Sequence, residues 1–123
     1  MRREAPIHRA IVSWLKVVLP HAVTATVKNE INKRGTAFAI EQAKAKANGV
    51  MTGFADIICL PGANQPTMFF EVKAPGNYPT DTQREVHGRL SSLGYRVAVV
   101  RSIDDTREAM DQWGVDTLER RPG

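Results

Sequence analysis

Two short apolar runs, each interrupted by charge, flank a dense cluster of turn formers, and that arrangement leaves the chain few ways to fold. The first run is Gly53-Phe54-Ala55-Asp56-Ile57-Ile58-Cys59-Leu60 and the second is Met68-Phe69-Phe70-Glu71-Val72-Lys73. Between them lies Pro61-Gly62-Ala63-Asn64-Gln65-Pro66, which reads as a hairpin loop. Both runs have the length and β-branched or aromatic content of strands. Side chains alternate faces along a strand, so Glu71 and Lys73 share one face while Phe70 and Val72 share the other. Asp56 and Glu71 lie fifteen positions apart, and an antiparallel hairpin sets them side by side.

Two carboxylates and an ammonium in one small space suit a divalent metal with oxygen ligands, and a lysine that stabilises charge at a reacting phosphate. Two plainer readings compete. A Glu-x-Lys triplet is also what a polar strand face looks like, and Lys73 is a natural ion-pair partner for a carboxylate. A carboxylate at Asp56 without partner or metal would be costly in so apolar a run.

The rest of the chain frames this hairpin. Ile7, Ala10, Ile11, Trp14, Leu15 and Val18 recur at helical steps up to the breaker Pro20, with Glu4 on the inward face near the helix start. Residues 21–28 alternate as a strand, and an alanine-rich helix is expected over 38–48. Thr80-Asp81-Thr82-Gln83 has the form of a capping box, opening a helix whose buried side is marked by Val86, Leu90 and Leu93. Residues 95–100 form a strand apolar enough to be central, and Ser102 caps a last helix carrying Ala109, Met110 and Trp113. The strand–helix–strand unit at the end implies parallel pairing beside the antiparallel hairpin. The expected fold is therefore α/β, a mixed central sheet flanked by helices. With 123 residues there is room for one domain, over 1–119, and a short tail at 120–123.

Charge is distributed unevenly. Residues 1–50 hold nine Lys or Arg against three acids, and residues 51–123 hold eight against ten. A basic half beside an acidic motif fits a phosphate-backbone partner, although solubility is also served by such a charge. Lys28, Lys33, Arg34, Lys44 and Lys46 make up the candidate nucleic-acid-binding cluster. The lone Cys59 excludes an internal disulfide and reads as a packing residue. Zinc-type Cys/His spacing is absent, as is a G-x-S-x-G nucleophile motif, and the three histidines have no evident catalytic spacing. With no apolar run of membrane length and no signal-peptide core, the expectation is a cytoplasmic protein without a membrane partner, in a bacterium or a phage-infected host cell.

Gly53-Phe54-Ala55-Asp56, Glu71-Val72-Lys73 and Gln83, in this order of helices and strands, resemble the PD-(D/E)XK nuclease superfamily, and within it the VRR-NUC (virus-type replication-repair nuclease) family. The likeness runs from Glu4 to about Ser102 and includes Gly94-Tyr95-Arg96-Val97; Phe54-Ala55-Asp56 stands where the superfamily name has Pro-Asp. The resemblance implies a restriction-endonuclease-like αβββαβ core and metal-dependent phosphodiester hydrolysis. It makes Glu4, Asp56, Glu71, Lys73 and Gln83 the catalytic set. Asp56, Glu71 and the backbone carbonyl of Val72 become metal ligands, with Glu4 approaching directly or through water. Magnesium, or manganese, is the implied cofactor, because it neutralises phosphate and lowers the pKa of a bound water. The expected function is a structure-selective DNA endonuclease in DNA repair, resolving branched DNA or Holliday junctions as a homodimer. Trp113 and Met110, or Trp14 and Val18, are candidates for its apolar dimer patch, with core packing as the competing role. A non-cleaving nucleic-acid-binding module or helper subunit, and an RNA-processing nuclease of the same fold, are the alternatives.

Overall fold

A computed structural model describes residues 4–27, 39–40, 43–44, 47–49 and 51–119. Among these residues the elements are α1 (Glu4–Val18), β1 (Val23–Thr26), β2 (Ile57–Leu60), β3 (Met68–Val72), α2 (Asp81–Ser92), β4 (Arg96–Val100) and α3 (Ile103–Trp113). The strands form one sheet in the order β1-β2-β3-β4. β1 with β2 and β2 with β3 are antiparallel, and β3 with β4 is parallel. This is the mixed α/β sheet flanked by helices that the sequence predicts.

The hairpin fixes the register. Ile57 pairs with Phe70 and Cys59 with Met68, so these four side chains share one face. That face is closed by α1 and α3, through Ile11, Leu15, Val18 and Met110, with Val72 and Val100 completing the apolar core. Phe70 is fully buried, and its ring lies 5.8 Å from that of Trp113. The opposite face carries Phe69, whose edge-to-face contacts with Phe54 and Tyr95 run at 5.4 and 5.8 Å. All five residues of β3 are buried, as befits a strand covered on both sides.

Both later helices are capped as their sequences predict. Thr80 and Gln83 close the reciprocal capping box at the start of α2, and Ser102 accepts from the N–H of Asp105 at the start of α3. Two expectations are corrected. β4 lies at an edge of the described sheet rather than at its centre. Its apolar character reflects helices packed over its faces, which says nothing about neighbours along the hydrogen-bonding direction. Leu93 is 73% exposed, because α2 ends at Ser92 and the chain turns through Gly94 before the helical period reaches it. Of the two roles open to Met110 and Val18, the structure shows core packing, since both are buried. The alanine-rich helix falls mostly outside the described residues, although 39–40, 43–44 and 47 are helical.

Candidate active site

Asp56 stands one step before β2 rather than within it, yet it is wired into the sheet. Its N–H donates to the carbonyl of Phe70 at 3.1 Å, and its carbonyl accepts from the N–H of Val27 at 2.7 Å. Its Oδ2 accepts from the N–H of Val72 at 2.8 Å, taking the place a backbone carbonyl would hold in a longer ladder. Continuing the Ile57–Phe70 register by one pair sets Asp56 opposite Glu71.

Glu71 is only 1% exposed, a rare state for a carboxylate. Its Oε2 accepts from Nε2 of Gln83 at 3.0 Å and lies 3.7 Å from Nζ of Lys73. Its Oε1 faces Nε2 of His87 at 3.4 Å, close enough for a charge interaction but without hydrogen-bond geometry. Lys73 is held by its N–H, which donates to the carbonyl of Val100 at 3.0 Å, so its side chain follows Glu71 on the α2 face.

Gln83 resolves two roles with one amide. Oε1 accepts from the N–H of Thr80 at 2.9 Å, which closes the capping box, and Nε2 then points at Glu71. The cap thereby fixes which way the amide faces. Glu71 also sits beside the positive end of the α2 dipole, a favourable place for an anion.

The approach of α2 to this corner depends on Gly53. Its φ is +86°, and a Cβ there would meet Cγ2 of Thr82 at 2.9 Å and the Thr82 carbonyl oxygen at 3.0 Å. Only a residue without a side chain combines the left-handed backbone with that contact. Gly53 therefore lets the segment before Asp56 pack on the first turn of α2, one residue from Gln83.

The electrostatics follow from this crowding. The Asp56 carboxyl is pushed up from 3.8 to about 7, first by burial and next by the adjacent Glu71 charge; the Val72 N–H and Lys73 pull it partly back. Two carboxylates facing each other in a half-dry corner resist full ionisation unless a cation joins them. On the apolar side, burial raises the Cys59 thiol and the Thr24 hydroxyl lowers it, so Cys59 is a packing residue and no nucleophile.

The structure thus gathers Asp56, Glu71, Lys73 and Gln83. Val72 enters through its N–H, whereas the expected metal-facing group is its carbonyl. Glu4 begins α1 and is half-buried. One turn on, His8 meets the Thr26 hydroxyl at 2.9 Å, and Thr26 pairs with Ile57, so the first turn of α1 lies at the sheet end that carries Asp56. Among the described residues, no three acidic, histidine or cysteine side chains converge closely enough to hold an ion. Asp56 and Glu71 interact as a pair. Lys44 is exposed, and Lys28, Lys33, Arg34 and Lys46 fall outside the described residues. The residue that sequence reasoning missed is His87; its signal was a position four beyond Gln83, on the same helix face.

Comparison with known proteins agrees with this fold. Residues 4–104 match the VRR-NUC domain. A solved structure described as a VRR_NUC domain protein superposes with a TM-score of 0.62 at 23% identity, covering 92% of this chain and 89% of that one. No curated protein matches the sequence at a significant level.

Proposed function

The chain belongs to the VRR-NUC domain family, a nuclease-type domain, and on that premise we propose that it is a metal-dependent endonuclease that hydrolyses phosphodiester bonds in branched DNA. The observation that carries the metal is the Asp56–Glu71 pair, where burial and then mutual repulsion raise Asp56 to about 7 beside a buried Glu71 oxygen without a hydrogen-bond partner. An all-oxygen pair fits a hard divalent cation such as magnesium or manganese. Asp56 and Glu71 would hold it, together with the Val72 carbonyl, and Glu4 through water. Bound there, it would neutralise phosphate charge and supply a water of lowered pKa.

The chain's own groups do the rest. Water attacks phosphorus, the phosphorus–oxygen bond on the far side breaks, and the leaving oxygen takes up a proton. Lys73, held beside Glu71 Oε2 at 3.7 Å, puts its ammonium where the attacking water is oriented and negative charge grows on the phosphate oxygens. Gln83 keeps Glu71 oriented through Oε2. No helix among the described residues is long and apolar enough to cross a membrane. The basic half of the chain, with Lys28, Lys33, Arg34, Lys44 and Lys46, supports DNA as the partner, and a two-fold dimer would give paired sites for symmetric cuts in a four-way junction.

Purified protein incubated with labelled duplex, single-stranded and four-way-junction DNA, and with RNA, tests the reading. Magnesium-dependent cleavage favouring the junction is expected, lost in Asp56→Ala and Glu71→Ala with the fold retained. Equal cleavage in EDTA would refute the metal, preference for RNA would move the substrate class, and light scattering at 13.6 kDa with and without DNA would refute the dimer.

A further inference from the structure

Glu71 is approached by α2 at both of its oxygens. Gln83 donates to Oε2 at 3.0 Å, and one turn later Nε2 of His87 faces Oε1 at 3.4 Å. Positions four apart on a helix share a face, so the two side chains descend on the carboxylate from one element. Glu71 Oε1 and His87 Nε2 are, among the described residues, the buried side-chain polar atoms without a hydrogen-bond partner. Leaving both unmet is costly, whereas closing the gap by a few tenths of an ångström satisfies both at once. A carboxylate oxygen only accepts, so Nε2 must carry the proton for that bond. With Oε2 alone held, the carboxylate still pivots about its last bond; a second donor stops the pivot.

We propose that His87 is a positioning residue which, with hydrogen on Nε2, donates to Glu71 Oε1 and, with Gln83, locks the carboxylate plane so that its free lone pairs face Asp56 and Lys73. The consequence for metal binding rests on the reading of Glu71 as a ligand given above. Partners that orient a metal ligand change metal affinity by about 10- to 100-fold when lost.

The test uses the full chain and two independent readouts. Nitrogen NMR of the metal-free protein should show the His87 ring protonated at Nε2; a ring carrying its proton on Nδ1 alone would overturn the proposal. Calorimetry with manganese should show His87→Ala binding about 10- to 100-fold more weakly, with His87→Gln, which restores an N–H, recovering most of the loss. Val86→Ala, one residue away in the core, should lower thermal stability while leaving manganese affinity unchanged. Wild-type affinity in His87→Ala, equal weakness in the Ala and Gln variants, or equal weakening in Val86→Ala would each overturn it. Wild-type protein that binds no manganese would sink the metal reading of the site, while the ring-nitrogen signal would still decide the clamp. Should His87→Ala fail to fold, the same signal decides it.

Discussion

The two faces of β3 are built from neighbouring residues and could hardly differ more. Phe70 and Val72 point into a sealed apolar layer under α1 and α3, held by dispersion and burial. Glu71 and Lys73 point at α2, where a buried carboxylate is held by one amide, one ammonium at 3.7 Å and an imidazole that fails to complete its bond. The first face is optimised for stability, and the second retains unmet charge. An incompletely matched carboxylate on one side of a strand is the feature on which the proposed metal reading rests.

The sharpest way to break this contrast is to mutate one residue on each side. Phe70→Ala should cost about 3–5 kcal/mol of stability by leaving a cavity. Glu71→Gln should leave chemical denaturation close to wild type while reducing cleavage about 10²- to 10³-fold, since the charge it removes serves the reaction. If Glu71→Gln unfolds the protein as Phe70→Ala does, the polar face is structural after all.

A smaller effect is expected where the faces meet. Gly53→Ala forces a side chain into a left-handed backbone, about 1–2 kcal/mol, and against Thr82 as well. It should lower the melting temperature modestly and depress cleavage more than that loss explains, because Gln83 moves with α2. Cleavage falling only in proportion to the folded fraction would separate Gly53 from the site.

The mildest test uses protons. Asp56 has a folded pKa of about 7 against 3.8 for the free side chain, so folding favours its protonated form. Its contribution to stability is complete below about pH 4 and is lost as pH rises through about 7. Denaturant titrations of metal-free protein should therefore show a decline of about 1–2 kcal/mol over that window, discounted for a half-exposed group. Asp56→Asn should flatten the decline, and added divalent cation should oppose it. A profile that rises with pH in wild type and mutant alike would contradict the crowding.

Much of this was legible in the residues because the signals were local. Turn formers between two apolar runs specify a hairpin, and alternation sets which side chains share a face, so the Asp56–Glu71 pairing could be read directly. The Thr80–Gln83 box was equally plain, and the Gln83 side-chain amide reaches both the cap and the carboxylate. What escaped was spatial. A histidine has no meaning until its neighbour is known, and the neighbour of His87, Glu71, lies on another element. The edge place of β4 is not legible in its residues, because composition reports what covers a strand's faces and not what pairs with its backbone. Asp56 proved to sit outside β2 because its own side chain replaces the next ladder bond.

The register of the hairpin carries one more consequence. Gly53, Asp56, Glu71, Lys73, Gln83 and His87 all fall within 35 consecutive positions. The loops that must close to assemble them are short, and loop entropy grows only slowly with length, so the constellation assembles from contacts of low sequence separation. It behaves as a cassette. Lengthening the connections outside it, or moving the chain ends by circular permutation, should leave these six side chains in register. Glu4 is the exception, because its position depends on α1 docking across the sheet from far away in sequence, and it is the residue such rearrangements would displace first.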